Sequence, residues 1–294
     1  MNTTSLLDSA DVIFKSRQYE KSREIYIQAL NQAVADKDIS TQAEANAMIA
    51  RAFLILGQKD EGRNWLANAR AACDVSMPLA WSRYLGVLGR FQWQDQELDK
   101  ATSTFKEMYA FCSEKGLHER AIDAAHMVAI TGNADDKIEW SLKGISEAES
   151  GSVYSWLGPL WNNLGANYEE MGRFSEALDA YLKAREYHYK YGDDKNKLVA
   201  DWAIGHTYRL LRNSAEAEKW LQPLLEWCRR LQDVEFEGLT FRELGEIEYS
   251  KGEYKSSQMY LLEAADLLKK ADMPSWDPMG YQAIEDKIRE LKEK

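Results

Sequence analysis

An all-α, right-handed α-solenoid of about seven helical hairpins, closed by a C-terminal capping helix, is the fold predicted by this 294-residue sequence. Three observations predict it. A set of residue types recurs with a period near 39 residues. Alanine, leucine, glutamate and lysine dominate the composition, which favours helix almost everywhere. Only 5 Pro and 17 Gly interrupt the chain, too few to build the turns of a β-rich protein.

The recurrence is clearest as an aligned set of slots. A small residue falls at Ala10, Ala50, Gly89, His126, Gly165, Gly205 and Gly245, with His126 as the exception. A slot before the hairpin turn reads Arg17, Gly57, Gln96, Asn133, Gly172, Arg212 and Gly252. A large apolar slot on the second helix reads Tyr26, Leu66, Phe105, Leu142, Tyr181, Leu221 and Leu261. The small residue lets the second helix approach, and the large one fills the crossing.

Taken in order, the repeats span residues 3–42, 43–81, 82–118, 119–157, 158–197, 198–237 and 238–272, with a cap over 276–294, all within a single domain of residues 1–294. The fourth copy is the poorest, because His126 replaces glycine and Ile138 replaces alanine. The fifth is the clearest. Trp161, Leu164 and Tyr168 share one face of its first helix, Gly172 suits the turn, and Ala177, Tyr181 and Ala184 line its second helix. After the seventh, Met273-Pro274-Ser275-Trp276-Asp277-Pro278 reads as a turn, since two prolines four apart interrupt a helix. Tyr281, Ile284, Ile288 and Leu291 then form one apolar stripe, with Glu285–Arg289 and Glu290–Lys294 as supporting pairs on the other face. A solenoid must cover its last apolar face, so this helix is expected to cap it.

The fifth segment, from Trp161 through Leu164-Gly165 and Tyr168 to Ala177 and Tyr181, resembles the tetratricopeptide-repeat signature. The period exceeds the usual 34 residues, and the proline that closes a standard repeat is absent. This long-period form resembles kinesin light chain, the Leu-Gly-Asn polarity scaffolds, the sensor domain of MalT-type activators and the peptide-pheromone receptors of Gram-positive bacteria. The link from Tyr187 through Gly192-Asp193-Asp194 is similar to the one those families show. The resemblance covers about residues 3–272 and implies a scaffold or adaptor that holds a peptide or protein segment in a concave groove. It leaves open a regulatory sensor for a small ligand or signalling peptide.

Composition narrows the partners. With 37 basic and 48 acidic residues the net charge is −11, which disfavours nucleic acid or an anionic membrane as a partner. No early apolar run suits a signal peptide and none is long enough to span a bilayer, so a cytoplasmic protein is expected. The repeats consume nearly the whole length, so no separate catalytic or DNA-binding domain is expected. A homodimer through the long second helices or the first repeat at Leu6 and Leu7 is left open.

Residues for chemistry are few. Cys73, Cys112 and Cys228 all lie 23 residues after their small slots, near the end of a second helix. Equivalent sites in stacked repeats are roughly 8–10 Å apart, beyond disulfide reach, so these read as packing residues. The four histidines form no HExxH or HxH, and no GxGxxG, GxxxxGK[ST] or GxSxG occurs. His126 reads as a core residue in its packing slot. Adjacent acids such as Glu169-Glu170 point to different helix faces. No catalytic residue, cofactor or metal site is expected, and the chain is not expected to be an enzyme.

Binding is expected on the first helices, whose exposed faces would line the groove. One candidate cluster is Arg51, Arg90 and Trp93; the other is Asn162, Trp202, His206, Arg209, Arg242 and Tyr249. Arginine, aromatics and an amide make a recognition surface, unusual in an acidic protein. The competing reading is that these arginines pair with acids such as Glu169 and Glu246 and merely solvate the groove. The Lys/Asn pattern of chaperone-binding repeats is missing.

Overall fold

The computed structural model describes residues 3–294, with side chains from Ser5 onward; Met1 and Asn2, the start of the expected domain, lie outside the described residues. Helix accounts for every regular element among them. The first helices of the hairpins are α1 (Thr3–Lys15), α3 (Ile39–Ile55), α5 (Pro78–Gln94), α7 (His118–Thr131), α9 (Leu157–Glu170), α11 (Asp194–Leu210) and α13 (Val234–Lys251). Their partners are α2 (Tyr19–Ala35), α4 (Lys59–Ala72), α6 (Leu98–Glu114), α8 (Ala134–Ser150), α10 (Phe174–Tyr191), α12 (Ser214–Leu231) and α14 (Tyr254–Lys270). A four-residue helix α15 (Met273–Trp276) and α16 (Pro278–Leu291) follow. No helix among the described residues is long and apolar enough to cross a membrane.

Among the described residues the helices form two compact units, 3–153 and 154–294. The first holds four hairpins, with contacts between successive first helices α1–α3, α3–α5 and α5–α7. The second opens with a 3₁₀ turn at Tyr154–Trp156 and holds three hairpins and the terminal helices.

The slot arithmetic has a direct physical cause. A Cβ on Gly89 would stand 2.6 Å from the Phe105 ring, one on Gly165 2.7 Å from Tyr181, and one on Gly205 2.7 Å from Leu221. Each glycine is thus the hollow that receives the large residue 16 positions on. The turn slot is equally specific. Arg17, Gly57, Gln96, Gly172, Arg212 and Gly252 are all left-handed. At Gly57 this lets the Gln58 N–H reach back to the Phe53 carbonyl at 2.9 Å, closing the helix end.

The fourth hairpin departs from the register. Gly132 and Asn133 are extended, and Asn133 caps α8 by accepting from the Asp136 N–H. The turn is one residue tighter, so Ser141 is buried and Leu142, expected in the large apolar slot, is 43% exposed. His126 stands in this hairpin where the other copies have glycine or alanine.

The three cysteines are free and buried at the ends of second helices. Burial pushes the thiols of Cys112 and Cys228 up to about 12. The Met273–Trp276 segment, expected as a turn, forms one helical turn before α16. Ile284, Ile288 and Leu291 are buried and α16 contacts α14, as a cap requires. Glu290 and Lys294 pair at 2.7 Å, whereas Arg289 pairs with Asp286, not with Glu285.

Candidate functional site

In the first unit, the first helices bring a set of charges together that the hairpin core cannot absorb. Asp11, Arg51 and Arg90 share the position one past the small slot; Asp123 sits three before it; Glu44, Arg83 and Arg120 sit six before it. These offsets follow the 3-4 spacing of one helical face. Arg83, only 6% exposed, grips Asp11 with both terminal nitrogens and donates from Nε to Glu44 at 2.8 Å. The Tyr26 hydroxyl donates to Asp11 at 2.6 Å. Burial alone would raise the Asp11 carboxyl, but the Arg83 hydrogen bond and charge hold it below its ordinary range.

Arg90 donates to Asp123 at 2.7 Å and to the Gly86 carbonyl at 2.9 Å. Burial works against the Asp123 charge, yet Arg90 and Arg51 outweigh it and hold the carboxyl at about 2. Arg51 lies 5.0 Å from the centre of the Phe14 ring, and its Nε is buried with no hydrogen-bond partner among the described residues. Among the described residues Arg51 and Arg120 make no direct ion pair, but the Asp123 charge favours Arg51, and Asp123, Asp11 and Glu44 favour Arg120. Both line one small cleft together with Arg83, Arg90 and Asp123. Trp93 stands apart from these charges, packed against the apolar cluster of α5, α6, α7 and α8.

The second unit builds a different arrangement around Glu243, which is fully buried on α13. His206 Nδ1 lies 2.8 Å from Glu243 and its Nε2 3.1 Å from Glu169. Arg209 donates to Glu243 from Nε, and Arg242 donates to its other oxygen at 2.8 Å. Burial disfavours a charged imidazole, but the hydrogen bonds to Glu169 and Glu243 prevail and raise His206 to about 9. With a carboxylate beside each ring nitrogen, the charged form of His206 is favoured at neutral pH. Trp202 stacks on it at 4.9 Å, and the indole N–H is buried without a partner. Asn162 Oδ1 is likewise buried and unpartnered.

Tyr249 is placed against the terminal helix: its hydroxyl donates to Glu290 at 2.6 Å, and the Lys287 ammonium sits 3.8 Å over its ring. The competing reading pairs the arginines with acids such as Glu169 and Glu246. The structure gives Glu169 to His206 and the Tyr181 hydroxyl, and gives the arginines to Glu243. Glu44, Arg83, Arg120 and Glu243 were missed. Extending the 3-4 spacing one step toward the helix N-terminus finds the first three; Glu243, two before the small slot, carries no such signal.

The arrangement of hairpins fits a known repeat. Residues 158–187 match the tetratricopeptide-repeat family model. The fold is that of a tetratricopeptide-repeat protein. No curated protein sequence matches the chain significantly. Among solved structures, the Signal Transduction ATPase with Numerous Domains protein with a tetratricopeptide repeat sensor, from Pyrococcus horikoshii, is similar over 98% of this chain, at 14% identity and a TM-score of 0.75. This chain spans only 44% of that protein. The apo form of RapI is similar over 99% of this chain and 86% of its own, at 12% identity and a TM-score of 0.77. The nearly identical tetratricopeptide-like repeats of a kinesin light chain from Podosopora anserina cover 64% of this chain and 95% of theirs, at 14% identity and a TM-score of 0.53. Identities this low carry the tetratricopeptide-repeat fold alone.

Proposed function

We propose that this tetratricopeptide-repeat chain holds a peptide or protein segment against the first helices of its hairpins. One observation carries the reading. Arg51 Nε, Trp161 Nε1, Asn162 Oδ1 and Trp202 Nε1 are buried polar atoms on those helices with no partner among the described residues, against one such atom, Trp227 Nε1, on a second helix. Leaving such an atom unpaired costs about 1–3 kcal/mol, and a bound segment with complementary groups removes that cost. Arginine, tryptophan and asparagine also suit the task, since one supplies charge, one flat apolar area and one an amide for backbone groups.

The test follows from the same cost. Asn162→Leu deletes an unsatisfied acceptor at similar volume, so thermal stability is expected to stay level or rise. Recovery of partners by the full chain from its native host, read by mass spectrometry, is expected to fall. Unchanged recovery with Asn162→Leu, Arg51→Gln and Trp202→Phe combined would contradict the proposal.

A second reading is a sensor for a small ligand or signalling peptide. It is favoured by the likeness to a structure described as carrying a tetratricopeptide repeat sensor. A metabolite that stabilises the chain in a thermal-shift screen, with no protein recovered, selects this reading.

A further inference from the structure

Two charged side chains of opposite sign in the second unit face one cavity and leave it unneutralised. The cavity, about 560 Å³, opens between the turn after α11 and the last two turns of α13. Its wall holds Arg209, Arg212, Glu246 and Lys251, beside Ser214 and Tyr249. Two of these charges are spent: Arg209 is tied to Glu243, and Lys251 to Glu218 and Glu248. Among the described residues, the side chains of Arg212 and Glu246 make no ion pair or hydrogen bond, with each other or with another group.

The repeat explains why Glu246 is open. It sits one past the small slot, where Asp11, Arg90 and His206 each meet an opposite charge from a later first helix. Those charges are Arg83, Asp123 and Glu243. Among the described residues no hairpin follows the seventh, so no such charge reaches Glu246.

The open pair sets the charge of a ligand. A lone anion drawn to Arg212 would face Glu246, and a lone cation drawn to Glu246 would face Arg212. A molecule carrying both charges satisfies both. The guanidinium fork matches a carboxylate, with the Ser214 hydroxyl in the same wall, and Glu246 accepts from an ammonium. Tyr249 is the one aromatic residue of that wall, and the Lys287 and Lys294 ammoniums already lie 3.8 and 4.6 Å from its ring centre. That disfavours a quaternary ammonium or a nucleobase, which would need a free aromatic face. One open carboxylate is too few for a calcium or magnesium ion. The volume falls within the range of small-molecule pockets, about 300–1,000 Å³.

We propose that this cavity binds a small zwitterion, a free amino acid or a short peptide with free ends, with its carboxylate on Arg212 and its ammonium on Glu246. The site names a ligand class for the sensor reading and rests on that reading for its role.

The full chain, isotope-labelled at arginine and glutamate, is titrated with alanine and with trialanine. NMR follows the Arg212 Nε and Glu246 Cδ resonances, and saturable shifts at both are expected. Tighter binding of alanine assigns the site to a free amino acid; tighter binding of trialanine assigns it to a short peptide. The N-acetyl and the C-amide form of the tighter ligand are each expected to bind about tenfold more weakly. In Glu246→Gln the acetyl cap is expected to cost nothing further, and in Arg212→Gln the amide cap. Gln96 holds the same left-handed turn slot in the third hairpin, so glutamine suits position 212. Unchanged His206 resonances verify the fold of both variants. No saturable shift with either ligand, or capped forms that bind as well as free ones, overturns the site.

Two further outcomes separate the site from the reading it rests on. A metabolite lacking one of the two charges that stabilises the chain in a thermal-shift assay, with both zwitterions inert, overturns the site and leaves the sensor reading standing. Zwitterion binding that needs both residues, with partner recovery unchanged at saturation, supports the site and removes the sensor reading.

Discussion

The imidazolium of His206 makes stability depend on pH in a way that can be worked out in advance. Its pKa rises from 6.5 to about 9 because its hydrogen bonds to Glu169 and Glu243 overcome the burial that opposes its charge. The rise from 6.5 to about 9 corresponds to about 3 kcal/mol. The folded pKa is the higher one, so this stabilisation is complete below pH 6.5 and is lost as pH climbs through 9. Glu243 reports the same contacts from the other side: burial opposes its charge, but His206 and the two arginines hold its carboxyl far below the ordinary range. The two shifts are therefore not added. The assay is urea unfolding at pH 6.0 and 9.5 for the natural chain and for His206→Gln. Differencing the two proteins cancels every other titrating group. The natural chain is expected to lose about 3 kcal/mol more than the variant over that interval. Parallel losses, within about 0.5 kcal/mol, would refute the claim that the charged imidazole bridges Glu169 and Glu243.

Four further outcomes follow from the packing. Arg83→Ala leaves the buried Glu44 and the half-buried Asp11 without their ion-pair partner, and is expected to cost about 3–5 kcal/mol in urea unfolding. Gly205→Ala drives a Cβ to within 2.7 Å of Leu221 and is expected to cost about 1–3 kcal/mol, read by calorimetry. Gly172→Ala meets open space and pays only for its left-handed backbone, about 1 kcal/mol. Ile288→Ala empties the contact between the cap and α14, and is expected to cost about 2–4 kcal/mol, with hydrogen exchange accelerating in α16 and α14.

Much of the fold was legible because helix crossings impose fixed spacings. A glycine must face a large residue 16 places on, and the chain repeats that pairing at Gly89–Phe105, Gly165–Tyr181, Gly205–Leu221 and Gly245–Leu261. The slip in the fourth hairpin was hidden because a one-residue change in a turn leaves the spacing pattern almost intact; only the exposed Leu142 reveals it. The site was less legible. Periodicity finds which residues share a face, and it placed Arg51 and Arg90 there. It does not say which charge takes which partner, since that depends on side-chain reach across neighbouring hairpins. Glu243 shows the difference: one buried carboxylate pairs with His206, Arg209 and Arg242. Tyr249 is drawn to the terminal helix by Glu290 and Lys294, a contact no repeat pattern encodes.

The central claim is that a partner lies on the first helices of the hairpins. A hydrogen-exchange footprint of the chain bound to its recovered partner addresses it most directly. Slowed exchange in α3, α5, α9 and α11, around Arg51, Arg90, Asn162 and Trp202, is the predicted result. Protection confined to the second helices, with those segments unchanged, would contradict it.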